Sequence, residues 1–204
     1  MSTIAIVGAG AIGRALSTHF ARAGIDVMIA NRAGPSSLAN LTADLGKHVR
    51  AASIEQALAA DIVFLAVPFP AVKDAVRAAP RWKGRVVVDA TNALDLPDFT
   101  PSDLAGRMST HLVAETVPGA RVVKAFNTLP AAVLAQDPAQ GNRRRVIFVS
   151  GDDDRANYEV AAVVERLGFA PVVLGKVAEG GRLQQWGGAL TMQDMAHRPI
   201  SLKT

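Results

Sequence analysis

The 204-residue chain has no cysteine, which excludes disulfides, thiolate metal sites, iron–sulfur clusters and a thiol nucleophile. Aromatic residues are scarce at 5%, with a single tyrosine, Tyr158. The four histidines, His19, His48, His111 and His197, lie far apart in the chain and form no metal-ligand pattern. No stretch approaches the roughly 18 uninterrupted apolar residues of a membrane helix. The first residues enter an apolar segment without a basic flank or a cleavage site. These absences predict a soluble, cytoplasmic protein with no membrane partner. The net charge is +4 and Arg143-Arg144-Arg145 are adjacent, yet the triplet lacks aromatic interleaving and directly precedes the apolar run Val146 to Val149. It reads as a solvated loop at a strand entrance, and no nucleic-acid partner is expected. A basic balance also suits an anionic small molecule.

What is present starts at the N-terminus. Ile4-Ala5-Ile6-Val7 leads into Gly8-Ala9-Gly10-Ala11-Ile12-Gly13. In such a strand–turn–helix the first glycine allows the tight turn, the second lets backbone approach a pyrophosphate, and the third lets the helix pack against the sheet. The free amides at the helix start carry partial positive charge and can hold the pyrophosphate without a cationic side chain. Ala15, Leu16, Phe20 and Ala23 give the helix its apolar stripe, and Gly24 its stop. The second strand, Asp26 to Ala30, ends where a carboxylate would usually accept bonds from the adenosine ribose. Here Asn31 and Arg32 stand instead, followed by Ser36 and Ser37. A guanidinium pairs with a 2′-phosphate that a carboxylate would repel, so the pattern predicts NADP(H) rather than NAD(H).

Strands and helices alternate along the rest of the chain, which predicts an α/β fold of the Rossmann type. The sheet is expected to be doubly wound and mostly parallel, with about eight strands, in a single domain with a C-terminal helix. Residues 1–150 form the dinucleotide-binding core, and residues 151–204 add β-α elements and part of an acceptor pocket. Further helices are predicted over Ser36 to Leu45, after Ser53 with a Ser53–Gln56 capping box, over Ala71 to Ala79, and from a Ser109 cap to about Thr116. Strands are predicted at Val49 to Ala51, Asp61 to Val67, Arg85 to Val88, Arg121 to Ala125, Val146 to Ser150 and Pro171 to Leu174. Leu94 to Asp103 reads as an irregular surface loop. Asp152-Asp153-Asp154 reads as a helix cap rather than a metal site, because EF-hand spacing is missing. The helix it starts runs to Leu167. Lys176 to Trp186 reads as a last helix, before a tail with Gly187, Gly188 and Pro199. The carboxyl ends of the strands open the ligand crevice. Val67, Pro68 and Phe69 after the fourth strand, and Ala90 and Asn92 after the fifth, are therefore assigned to the cofactor with the glycine turn, the Pro-Phe-Pro turn beside the nicotinamide end.

Together, Gly8-x-Gly10-x-x-Gly13, Asn31-Arg32, Val67-Pro68-Phe69, Lys124-Ala125-Phe126-Asn127-Thr128-Leu129-Pro130-Ala131 and Val149-Ser150-Gly151-Asp152-Asp153 resemble the NADPH-dependent coenzyme F420 reductase family across nearly the whole chain. A similar module forms the NADPH-binding part of membrane metalloreductases. The resemblance implies hydride transfer between NADPH and an 8-hydroxy-5-deazaflavin or a flavin. It also implies an acceptor pocket, assigned here to Phe69, Asn127, Thr128, Leu129, Pro130 and Trp186. Trp186 could stack on a ring or anchor a homodimer interface. Carbonyl reduction needs a positioned acid, whereas transfer between two planar rings needs only their juxtaposition. No catalytic side chain is therefore assigned. Lys124, near the carboxyl end of a central strand, is read as structural, and His19 and His111 as packed or exposed helix residues. The alternative reading is an NADPH-binding sensor or partner-binding module without turnover. A fragment of a β-hydroxyacid or imine reductase is disfavoured, because too few residues follow Leu174 to build the helical domain such enzymes add.

Overall fold

The computed structural model describes residues 2–198, so the predicted tail residue Pro199 lies outside the described residues. In chain order the elements begin β1 (Ile4–Val7), α1 (Ala11–Arg22), β2 (Val27–Ala30), α2 (Ala39–Leu45), β3 (Val49–Ala51), α3 (Ile54–Leu58), β4 (Ile62–Leu65), α4 (Val72–Ala75) and β5 (Val86–Asp89). A small hairpin follows, β6 (Leu94–Asp95) with β7 (Thr100–Pro101). Then come α5 (Ser109–Thr116), β8 (Arg121–Ala125), α6 (Ala131–Leu134), β9 (Ala139–Gln140), β10 (Arg143–Gly151), α7 (Asp154–Arg166), β11 (Ala170–Val173), α8 (Arg182–Gln184) and β12 (Ala196–His197).

The main sheet runs in the order β11-β10-β8-β5-β4-β1-β2-β3. It is parallel except where β10 meets β8. This is the expected Rossmann-like α/β architecture, and the eight strands of this path fall where the hydrophobic runs predict them. Because strand residues alternate in direction, Ile4 and Ile6 join an apolar layer with Leu16, Phe20 and Val160. Ala5 and Val7 face a second layer with Leu58, Val76 and Val113. Burial on both faces explains why these strands read as continuous apolar runs rather than alternating ones.

Local sequence accounts for several termini. Ser53 accepts from the Gln56 amide while the Gln56 side chain accepts from the Ser53 amide, the reciprocal cap its spacing predicts. Asp153 caps α7 by accepting from the Ala156 amide at 2.8 Å. Gly24 and Gly168 take positive φ after α1 and α7.

Other expectations need correction. Pro35–Leu38 is a 3₁₀ turn before α2, with three-residue bonds from Ser37 N to Gly34 O and from Ala39 N to Ser36 O in place of a regular helical ladder. The helix predicted over Ala71 to Ala79 lasts only through Ala75. Three-residue turns such as Ala79 N to Val76 O close it, and Pro80 disfavours helical geometry at the residue before it. Ser109 is the first residue of α5 rather than its cap; its amide is satisfied by Gln185 Oε1 at 2.8 Å. The helix predicted over Lys176 to Trp186 is a π turn (Val177–Gly181) followed by the three-residue α8, ended by the extended backbone of Gln185. Gly180 and Gly181 weaken a regular helix there. The loop from Leu94 is not wholly irregular, since β6 and β7 pair within it.

The arginine triplet is not a solvated loop. All three arginines belong to β10, and Arg145 is 1% exposed. Its guanidinium donates to Asp194 Oδ1 at 2.8 Å, to the carbonyls of Val133 and Asp137, and to Gln136 Oε1. Three basic residues in a row thus conceal one that is a structural clasp, a role set by residues 8 to 49 positions away.

Candidate functional site: a cleft at the carboxyl edge of the sheet

A cleft of about 750 Å³ opens where β1, β4 and β5 end. Gly10, Ala11 and Ile12 form one wall, Ala66 to Pro70 another, and Ala90 to Asn92 with Leu94 to Leu96 a third. The turn after β1 is pinned from both sides, with Gly8 N donating to Ala30 O and Ala66 N to Val7 O, both at 2.8 Å. Each motif glycine has a distinct physical reason. At Gly8, where φ is +112°, a Cβ would lie 2.2 Å from Ala66 O. At Gly13 it would lie 1.9 Å from Gly8 O. At Gly10 a Cβ would meet no atom within 4 Å, so the missing side chain there leaves room in the cleft rather than relieving a contact in the fold.

The structure therefore brings Gly10, Ala11, Ile12, Val67, Pro68, Phe69, Ala90 and Asn92 around one cavity. Asn31, Arg32 and Ser36 are not in its lining. They follow β2, the neighbour of β1 on the side away from β4. Asn31 Nδ2 donates to Ser37 Oγ at 2.9 Å, and Ser37 Oγ donates to Gly34 O, which shapes this loop and leaves Arg32 and Ser36 exposed.

A buried polar network supports the floor under β5 and β8. Asp89 and Lys124 form an ion pair at 3.0 Å with both side chains fully buried. Asp89 also accepts from Thr91 N at 3.0 Å, Thr91 Oγ1 at 2.6 Å and Thr110 Oγ1 at 2.8 Å, while Lys124 Nζ also donates to Thr91 O at 3.1 Å. Burial would raise the Asp89 pKa, but the Lys124 charge and the threonine donors outweigh it and hold the carboxyl below its ordinary value. Lys124 thus lies beneath the floor and does not line the cleft.

Beyond Ala125 the chain takes a left-handed conformation at Phe126, φ 62°. The Phe126 ring is held edge-on by Phe64 and Phe169, with centroids 5.7 and 6.1 Å away. The bend is followed by Asn127, which reaches back to the β5 exit: its Nδ2 donates to Asn92 Oδ1 at 2.9 Å, and Asn92 Nδ2 donates to Asn127 O at 2.8 Å. Asn127 Nδ2 also donates to Gln184 O at 2.7 Å. Gln184, itself fully buried, accepts from Ser150 Oγ at 2.5 Å and donates to Phe148 O at 3.1 Å. Sequence reasoning did not single out Gln184. It fell within the helix predicted over Lys176 to Trp186, where one polar residue among several gives no signal of burial.

Of the residues assigned to an acceptor pocket, Phe69 lines the cleft and Asn127 braces its floor. Thr128 and Leu129 are buried, and Pro130 is half-buried at the start of α6. Trp186 is half-buried and donates through Nε1 to Phe99 O at 2.7 Å, on the loop that closes the hairpin. His19 is buried in the core and His111 pairs at the surface with Asp152. Among the described residues there is no group of three or more histidines and carboxylates able to hold a metal ion, and no helix is long and apolar enough to cross a membrane.

The pinned glycine turn, the helix end facing a cleft and the crevice at the strand ends are the features of a Rossmann-like nucleotide-binding fold. Residues 3–93 match the family model described as NADP oxidoreductase, coenzyme F420-dependent, and over that segment the chain is similar to that family. It is 51% identical to a hypothetical protein from Sinorhizobium meliloti, with a TM-score of 0.94 over 97% of this chain and 96% of that one. A structure named as an F420-dependent NADP-reductase, from Arthrobacter sp. FB24, is 27% identical, with a TM-score of 0.75 over 97% of this chain and 100% of that one. The metalloreductase STEAP3 of Rattus norvegicus is 27% identical over 183 residues, 89% of this chain; the chain spans only 35% of that protein's length.

Proposed function

We propose that the protein transfers hydride between NADPH and a flavin-like acceptor, either a deazaflavin such as coenzyme F420 or a flavin. The observation that carries this reading is the character of the cleft. Its lining joins a helix end free of side chains at Gly10 to walls of Ala66, Val67, Phe69 and Leu96. Among the described residues its polar side chains are Thr91, Asn92 and Asp95, with no lysine, histidine or tyrosine to act as the acid of carbonyl reduction.

The open space at Gly10 fits a coenzyme pyrophosphate against the α1 amides. A nicotinamide coenzyme held there would supply the hydride chemistry. The protein's own work is then positioning. The α1 end fixes the anion, Arg32 offers a charge-assisted pair to a 2′-phosphate, and the apolar walls exclude water from the exchange. Phe69 presents a flat apolar surface on the side where an acceptor ring would enter.

Burial of Thr128 and Leu129, and the tie of Trp186 to Phe99, favour a second reading in which the cleft binds NADPH without turnover. Stopped-flow mixing of NADPH-loaded protein with a deazaflavin, FMN, FAD and quinones separates the two. Acceptor-dependent loss of NADPH absorbance is expected. Tight NADPH binding with no oxidation across the panel would establish the binding module instead.

A further inference from the structure

We infer that Asp89 and Lys124 are positioning residues, a buried ion pair whose task is to hold the Thr91 backbone where the nicotinamide half of the coenzyme rests. This deepens the coenzyme reading above and rests on it. The sheet order supplies the direction. With a pyrophosphate at the β1 turn and a 2′-phosphate beyond β2, as the coenzyme reading has it, the other half of the molecule would extend toward the ends of β4 and β5, which lie on the opposite side of β1 in the sheet. Thr91 lines the cleft there, immediately after β5.

Three bonds converge on this one residue. Asp89 takes its amide and its hydroxyl, and Lys124 takes its carbonyl. Both polar ends of the Thr91 backbone are thereby fixed by groups that never reach the cleft. A fully buried ion pair is a weak source of stability, because desolvation offsets most of the attraction, and an apolar pair of similar volume often serves as well. The pair therefore makes most physical sense through its secondary bonds. An apolar substitute would fill the same space and leave the Thr91 peptide groups without their fixed partners.

The test is to replace the pair in one step, Asp89→Leu with Lys124→Met, and to measure thermal unfolding. Calorimetric affinities are taken for NADPH and for adenosine 2′,5′-bisphosphate, which carries the 2′-phosphate end but no nicotinamide. The expected result is a folded protein whose NADPH affinity falls roughly tenfold or more, with bisphosphate affinity within about twofold of wild type. Equal loss for both ligands, or loss for neither, overturns the inference. Should the double variant fail to fold, Thr110→Val decides. It removes one Asp89 donor from α5, outside the cleft lining, and is expected to weaken NADPH about threefold and leave the bisphosphate unchanged; unchanged NADPH affinity overturns the proposal. Wild-type protein that binds neither ligand would instead refute the coenzyme reading itself, and this one with it.

Discussion

The two ends of the cleft are built by opposite means. The glycine-turn end is made of backbone: three glycines, a strand exit pinned by main-chain bonds, and helix amides, with no buried charge. The β5–β8 end is made of side chains, in which Asn92 in the lining and Asp89, Lys124, Asn127, Ser150 and Gln184 beneath it satisfy one another. The difference teaches where shape comes from. At the first end shape comes from what is left out at Cβ, and at the second from polar groups that have no other place to bond.

The sharpest break in this comparison is between two glycines of the same turn. Gly13→Ala places a methyl on Gly8 O and should cost more than about 4 kcal/mol in denaturant unfolding. Gly10→Ala meets nothing in the protein, so it should leave stability within about 1 kcal/mol while weakening NADPH in a titration. At the other end, Gln184→Leu would strand Ser150 Oγ and the Phe148 carbonyl; a loss of about 3 kcal/mol is expected by the same unfolding measurement. Arg32→Asp leaves both ends intact and changes only the charge beyond β2. NADPH affinity should fall about tenfold to a hundredfold with NADH little altered, and unchanged NADPH affinity would remove the case for a 2′-phosphate site.

The smallest effect concerns a buried residue outside the cleft that ties α1 to α6. His19 on α1 donates through Nε2 to Leu134 O on α6 at 2.5 Å and is 1% exposed. Burial lowers its pKa below the usual 6.5, against the raising effect of that hydrogen bond. The unfolded chain therefore binds more protons than the native one as pH falls below 6.5, and stability declines with falling pH toward the folded value. The slope from this group is at most about 1.4 kcal/mol per pH unit. His19→Phe should flatten it in unfolding curves collected between pH 7.5 and pH 5.

The contrast also explains what the sequence made legible. The backbone-built end uses contiguous residues, so Gly8 to Gly13 and the apolar runs of β1, β4 and β5 announce themselves. The capping residues Ser53 and Asp153 act within three positions and were equally readable. The side-chain end joins residues 89, 124, 127, 150 and 184, whose neighbourhood exists only after β10 has reversed direction beside β8. Lys124 and Asn127 stood out as residue types, but nothing local told that one meets Asp89 and the other Gln184. Arg145 misled for the same reason. Its partners come from α6, the segment after it and Asp194, so its charge looked like surface.

Gln184 carries a consequence for the order in which the molecule is made. During synthesis, β1 through β5 and the glycine turn can pair once about the first ninety residues are free, because every strand of that half finds a partner within it. The floor is different: Asn127 and Ser150 wait for a partner that leaves the ribosome only when residue 184 does. A nascent chain can thus own the glycine turn long before it owns a finished cleft, and the last brace to arrive completes the floor.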